Sequence, residues 1–200
     1  MPHKLTYYLS LNSPWSYLGS ARLLALVDRF KPELQVLAVN MAPVFEATGG
    51  LPLPKRSKQR QTYRLRELQR WRDHLGVPLV LEPKHFPANE VTGALMVLAL
   101  EQQPHQALRL ANAIQAMLWA EDRNIGEASV LADAAGKVGL NGRDLMAAVE
   151  RDRPALEARR AEASTKAIER GLFGVPGYFV GEELFWGQDR IEFVERALAR

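Results

Sequence analysis

Four residues near the amino end, Ser13, Pro14, Trp15 and Ser16, stand where many proteins of this layout work through sulfur. They follow an apolar, strand-forming run and open a helix, the setting in which a dithiol redox protein carries C-x-x-C. Such a protein needs a thiolate at the first position, its pKa lowered by the positive helix N-terminus, and a second thiol to resolve the mixed disulfide. This chain has serine at both positions and no cysteine anywhere in its 200 residues. What remains is electrostatic: a hydroxyl and unpaired backbone N–H groups at the positive end of a helix, which favour a negative charge placed against them. A sulfur, if the chemistry needs one, has to arrive with a ligand. Ser13 also fits a purely structural role, as the N-cap before a helical proline. Ser16, one turn on, reads as a structural residue or a secondary donor.

The elements that must position this motif follow from periodicity. Lys4 to Ser10 is aromatic and β-prone, and Leu18, Leu23, Leu24, Leu26, Val27 and Phe30 give the next helix a broad apolar face, halted near Lys31 and Pro32. Leu34 to Met41 reads as a second strand, so the opening is a βαβ unit with parallel strands and a right-handed crossover. A loop rich in Gly49, Gly50, Pro52 and Pro54 is expected after Met41, long enough to be functional. Helices are expected over 57–75, 89–103, 104–121, 127–138, 145–151 and 155–170, with Asn141 and Asp144 resembling a capping box. Tyr178 to Val180 and Glu183 to Phe185 read as a hairpin around Gly181, and 188–198 as a terminal amphipathic helix. The order βαβ, helical block, ββα predicts an α/β, thioredoxin-like fold with a helical insertion. Residues 1–41 and 171–200 form the thioredoxin-like part, and 42–170 the connecting loop and inserted helical domain.

Composition bounds the rest. With 47% apolar residues and a net charge of +3, the chain can bury a core without disulfides, and its charge favours anionic small molecules as readily as nucleic acid. The opening lacks the long apolar stretch and cleavage site of a secretory signal, and no run approaches the about 18 apolar residues that span a bilayer. A cytoplasmic protein without a membrane segment is expected. The basic run Lys55, Arg56, Lys58, Arg60, Arg64, Arg66, Arg70 and Arg72 is interleaved with Tyr63 and Trp71, a pattern that raises nucleic acid as a partner. Yet Leu65, Leu68 and Trp71 share one helical face, and Glu67 and Asp73 interrupt the charges, so a solvated amphipathic helix is the simpler account. No G-x-S-x-G elbow, dinucleotide fingerprint, phosphate loop or H-E-x-x-H motif occurs, and His3, His74, His85 and His105 are too scattered to be metal ligands.

Three segments together carry a resemblance: SPWSYLG at 13–19, FGVPG at 173–177 and ELFWGQDRIEFVERAL at 183–198, with a weaker match in the helix at 64–71. They resemble the 2-hydroxychromene-2-carboxylate isomerase family, relatives of kappa-class glutathione transferases and DsbA-type oxidoreductases, over essentially the whole chain. The resemblance implies glutathione as cofactor, an aromatic carboxylate as small-molecule substrate, a homodimer, and neither a metal nor a nucleic-acid partner. It makes Ser13 the residue that meets the glutathione sulfur. A hydrogen bond to a charged group contributes roughly 1.5–3 kcal/mol and a pKa unit is about 1.36 kcal/mol, so Ser13 and the helix end can bring a bound thiol from ~8.5 toward ~7. In this fold Pro176 is expected to be cis, which turns the backbone of Val175 toward an extended, peptide-like ligand. Trp186, Gly187, Gln188 and Asp189 lie where the γ-glutamyl end would sit, Asp189 answering its ammonium group. Each has a plainer reading, Asp189 as a first-turn acid and Trp186 as a core aromatic.

The chain departs from the family at the substrate. Phe45 stands at the position nearest to a substrate-contacting lysine shortly after the second strand. Lys55 or Arg56 then becomes the candidate for attracting an anionic substrate, and His85 falls near another family substrate contact, though a loop histidine is often only a surface residue. Two other activities stay open: a kappa-like transferase that consumes glutathione, and a binding module using the basic 55–72 segment to hold nucleic acid or an acidic partner.

Overall fold

The computed structural model describes residues 3–200. Strand β1 (Lys4–Leu9) leads through Ser13 into helix α1 (Pro14–Phe30), and β2 (Glu33–Ala38) returns parallel to β1, Lys4 opposite Glu33 and Leu9 opposite Ala38. Near the far end of the chain β3 (Gly177–Val180) and β4 (Glu183–Trp186) form a hairpin, and β3 lies antiparallel to β1 with Tyr7 opposite Tyr178. The sheet order is β2-β1-β3-β4, so β1 is central and joins the two ends of the chain. After a 3-10 turn at Gln188–Arg190, helix α9 (Ile191–Leu198) packs beside α1.

Between β2 and β3 run α2 (Met41–Thr48), a 3-10 turn (Leu53–Lys55), α3 (Lys58–Leu75), α4 (Val91–Ala99), α5 (Pro104–Trp119), α6 (Ala128–Lys137), α7 (Gly142–Arg151) and α8 (Arg153–Glu169). Helix α2 corrects the expectation of a loop directly after Met41. Asn40 caps it by accepting from the Ala42 N–H at 3.1 Å, Val44 is fully buried, and α8 packs along it. At eight residues it is too short to be stable alone, and packing supplies what local propensity does not. The second strand accordingly stops at Ala38. Helix α4 is shorter than expected, while α7 begins at Gly142 because the Asn141 side chain accepts from both Arg143 N and Asp144 N.

One continuous apolar cluster runs from the sheet into the helical block. Leu5, Tyr7 and Leu9 of β1, Leu23 and Val27 of α1, Leu95 and Leu98 of α4, and Ile114, Met117, Leu118 and Trp119 of α5 are all essentially fully buried. Each such side chain contributes about 1.5–3 kcal/mol over its exposed state. Polar groups fix how the layers meet: Gln115 donates to the Ser10 carbonyl at 3.1 Å and Asn112 to that of Ser20 at 3.2 Å, tying α5 to the β1–α1 connection and to the body of α1.

A buried ion pair completes this frame. Glu90, just before α4, faces Arg160 of α8 at 2.7 Å, and both are nearly sealed from solvent. Arg160 also donates to the carbonyls of Ala38 and Val39, and Glu90 accepts from the Ser10 hydroxyl at 2.8 Å and the Asn12 N–H at 2.9 Å. The ends of β1 and β2 and the starts of α1 and α4 are thus held by one carboxylate and one guanidinium. Among the described residues, no helix is long and apolar enough to cross a membrane.

Candidate active site

Ser13 sits at the head of α1, 8% exposed, and serves two directions at once. Its hydroxyl oxygen accepts from the Ser16 N–H at 3.1 Å, the N-cap bond that the sequence suggests. Its hydrogen points to the Val175 carbonyl, 3.4 Å away, a separation at the weak end for an O–H donor. The structural and chemical readings of Ser13 therefore coexist, since capping uses a lone pair and leaves the proton free to be redirected.

The helix end itself is narrower than expected. Of its four orphan donors, Ser13 N is taken by the Ser10 carbonyl at 3.1 Å, Pro14 has no N–H, and Ser16 N is capped. Trp15 N–H is left. Ser16 is fully buried with its side chain against the Tyr7 phenol, so it belongs to the core rather than to a ligand. Tyr7 and Tyr178 stack beneath it with centroids 5.3 Å apart, and burial pushes both phenols well above the usual tyrosine range.

Opposite Ser13, the Val175–Pro176 bond is cis. Val175 is half-buried, and the Pro176 carbonyl accepts from the Gly187 N–H at 2.9 Å, drawing the turn after β4 to the same place. Gly187 has φ +106°, and a Cβ there would lie 2.5 Å from the Asp189 carboxylate, so only glycine lets Asp189 fold back over the turn. Gly174 likewise makes room for Trp186, whose indole nitrogen would lie 2.5 Å from an added Cβ. Trp186 is exposed and packs on Phe173 with centroids 4.6 Å apart, as a surface pair rather than a core aromatic. Gln188 turns inward: it is 2% exposed, and its side chain and carbonyl both accept from Arg22 of α1. It therefore offers a ligand its backbone and not its amide. Ser13, Val175, Gly187 and Asp189 are thus joined in one chain of contacts, with Trp186 and Gln188 on either side of Gly187.

The remaining candidates lie apart from that chain. Lys55 ends the 3-10 turn before α3, exposed, its side chain without a hydrogen bond or ion pair to the described residues. His85 is exposed on a cleft of about 410 Å³, lined also by Lys84, Phe86, Pro87, Ala88, Asn89, Asn124 and Gly126. Asn12 links this cleft to Ser13, its amide pairing with both backbone groups of Ala88, each at 2.9 Å. Sequence reasoning passes over Asn12, Arg22 and Glu90; Asn12 reads only as a turn residue, and its partner is 76 positions away. The basic run is solvated as expected at Lys58, Arg60, Arg66 and Arg70, but Arg64 is buried. No metal-binding group of histidine and carboxylate side chains occurs among the described residues.

A central β1, a cis proline facing the head of α1 and a serine at that head define a thioredoxin-fold protein that carries the redox site without its dithiol. The model of the DSBA-like thioredoxin domain matches residues 4–199. A 2-hydroxychromene-2-carboxylate isomerase from Pseudomonas putida is 31% identical over 97% of this chain and 93% of its own length. A solved structure of 2-hydroxychromene-2-carboxylate isomerase superposes with a TM-score of 0.81 at 28% identity, covering 98% of this chain and 95% of the other. The rat glutathione S-transferase kappa 1 is more distant, 22% identical over 96% of this chain and 89% of its own. The chain belongs to the DSBA-like thioredoxin domain family and, within it, to the 2-hydroxychromene-2-carboxylate isomerases.

Proposed function

We propose that this protein is a glutathione-dependent isomerase of the 2-hydroxychromene-2-carboxylate type, acting on an aromatic carboxylate. The observation that carries the reading is the Ser13 hydroxyl, capped from one side and only weakly engaged by Val175 on the other. The surrounding groups fit the tripeptide: one free N–H at the helix head, a Val175 backbone beside a cis proline, and a glycine turn roofed by Asp189. Bound there, glutathione would supply a nucleophilic thiolate that adds reversibly to an electron-poor double bond, frees rotation about it and departs unchanged.

The chain's own residues then have separable tasks. Ser13 turns its O–H from the Val175 carbonyl to donate a hydrogen bond to the sulfur, and with Trp15 N–H and the helix dipole it holds the negative charge. Val175 pairs its N–H and C=O with the ligand's cysteine backbone. Gln188 presents its backbone N–H to the γ-glutamyl carboxylate, Gly187 leaves room for it without a side chain, Trp186 flanks it, and Asp189 answers the ammonium group. Lys55 and His85, apart from these groups, are assigned to the substrate, the first by its charge and the second by its place on the cleft. The same reading carries a cytoplasmic setting, expected from composition, and a role in aromatic compound breakdown and a homodimer, both taken from the resemblance. The test is isomerisation of 2-hydroxychromene-2-carboxylate by protein freed of glutathione and then resupplied. Activity that returns with glutathione, with the free thiol undiminished after many turnovers, supports the proposal; activity indifferent to glutathione rejects it. Stoichiometric loss of thiol favours the second reading, a kappa-like transferase, which the rat relative motivates.

A further inference from the structure

Two arginines of this protein are equally buried, at 9% exposure, and they are satisfied very differently. Arg160 holds Glu90 and two backbone carbonyls. Arg64 has neither a hydrogen bond nor a carboxylate partner among the described residues, although its neighbours Tyr63 and Arg66 stand in solvent. It is clamped by two aromatic rings instead, its Cζ lying 5.4 Å from the Phe86 centroid and 6.0 Å from that of Trp119. The Trp119 indole N–H is also buried and has no acceptor. The guanidinium nitrogens, by contrast, keep contact with solvent.

A guanidinium set this deep nearly always faces a carboxylate or a carbonyl, so one held only by aromatic rings and solvent needs an explanation. Burial and, after it, the like charge of Arg56 push the Arg64 guanidinium down to about 10. It is still cationic at neutral pH, and an anion set against it would relieve both penalties. Phe86, which stacks on Trp119 at 5.1 Å, lines the same cleft as His85. Two residues on, Ala88 is pinned by Asn12, the neighbour of Ser13. The Arg64 guanidinium is therefore joined through Phe86 to a cleft whose Ala88 is fastened beside the head of α1.

The geometry points to Arg64, with Phe86 beside it, as the subsite that takes the carboxylate of an aromatic acid, a role left vacant by Phe45. A planar guanidinium pairs a carboxylate through two parallel bonds, and the adjacent aromatic ring gives the acid's own ring a surface to stack on. This assignment rests on the isomerase reading only for calling the anion a substrate; the subsite itself stands on a guanidinium without a carboxylate partner and the ring beside it.

The test is binding of benzoate, with benzamide as its uncharged control, and glutathione titrated separately. Wild type is expected to bind benzoate in preference to benzamide, and Arg64→Met to weaken benzoate tenfold or more while leaving glutathione affinity unchanged. The Arg64 Nε–H resonance of the wild-type protein should move with benzoate and not with benzamide, which keeps the question decidable if the methionine variant does not fold. Equal affinity for acid and amide, a still resonance, or a folded Arg64→Met that binds benzoate normally overturns the subsite. Glutathione failing to bind while benzoate depends on Arg64 would reject the proposed function and leave this assignment standing.

Discussion

A hydroxyl has one proton and two lone pairs, and at Ser13 these face different ways. The lone pair holds Ser16 N and the proton rests on a distant carbonyl, so a ligand can claim the proton without dismantling the cap. Ser13→Ala removes both. The expected costs are separable: about 1 kcal/mol of stability from the lost cap, read by urea unfolding, and a bound glutathione thiol whose pKa rises by about one unit, read from thiolate absorbance against pH. A variant with reduced stability and an unchanged thiol pKa would make Ser13 a cap and nothing more. Ser13 was legible in the sequence because a motif of four residues carries it. Arg64 was not, because an arginine within a charged helix reads as solvent-facing, and the two rings that bury it come from positions 86 and 119.

Elements matter here chiefly through two contacts that set distances across the site. Gly19 brings α1 against the turn after β4: a Cβ there would lie 2.8 Å from the Tyr178 hydroxyl and 3.1 Å from Gln188 Cβ. Gly19→Ala is expected to cost about 1–3 kcal/mol and to weaken glutathione binding, since it pushes the 187–189 turn away from Ser13. Normal binding in that variant would show that α1 and the turn are not coupled. The sequence showed the turn, through Gly187 and the helix after it, but not which face of α1 receives it. It also concealed α2, since eight residues running into Gly49 and Gly50 look like loop until α8 covers them.

At the scale of the whole molecule, the chain is divided in sequence and continuous in its core. The β1–β3 pairing joins the two ends, and Glu90–Arg160 fastens the helical block to the ends of β1 and β2. Glu90→Ala removes the carboxylate that Arg160, the Ser10 hydroxyl and the Asn12 N–H share, leaving the buried Arg160 charge uncompensated, and is expected to cost about 3–5 kcal/mol in urea unfolding. Because the apolar cluster spans both parts, the loss should appear as one shifted transition, the same by far- and near-ultraviolet circular dichroism. Two separated transitions would mean that the helical block unfolds on its own. The thioredoxin order was legible because it depends on strand and helix periods; this ion pair was not, since its members lie 70 positions apart and each looks like a surface charge.

All of this depends on a sulfur supplied from outside the chain and seated at Ser13. A crystal structure with glutathione is the most direct measurement. The account predicts the glutathione sulfur in hydrogen-bond contact with Ser13 Oγ, its cysteine backbone paired with Val175 and its γ-glutamyl end at Gly187 and Asp189. Glutathione bound elsewhere, or its sulfur turned away from Ser13, would contradict it.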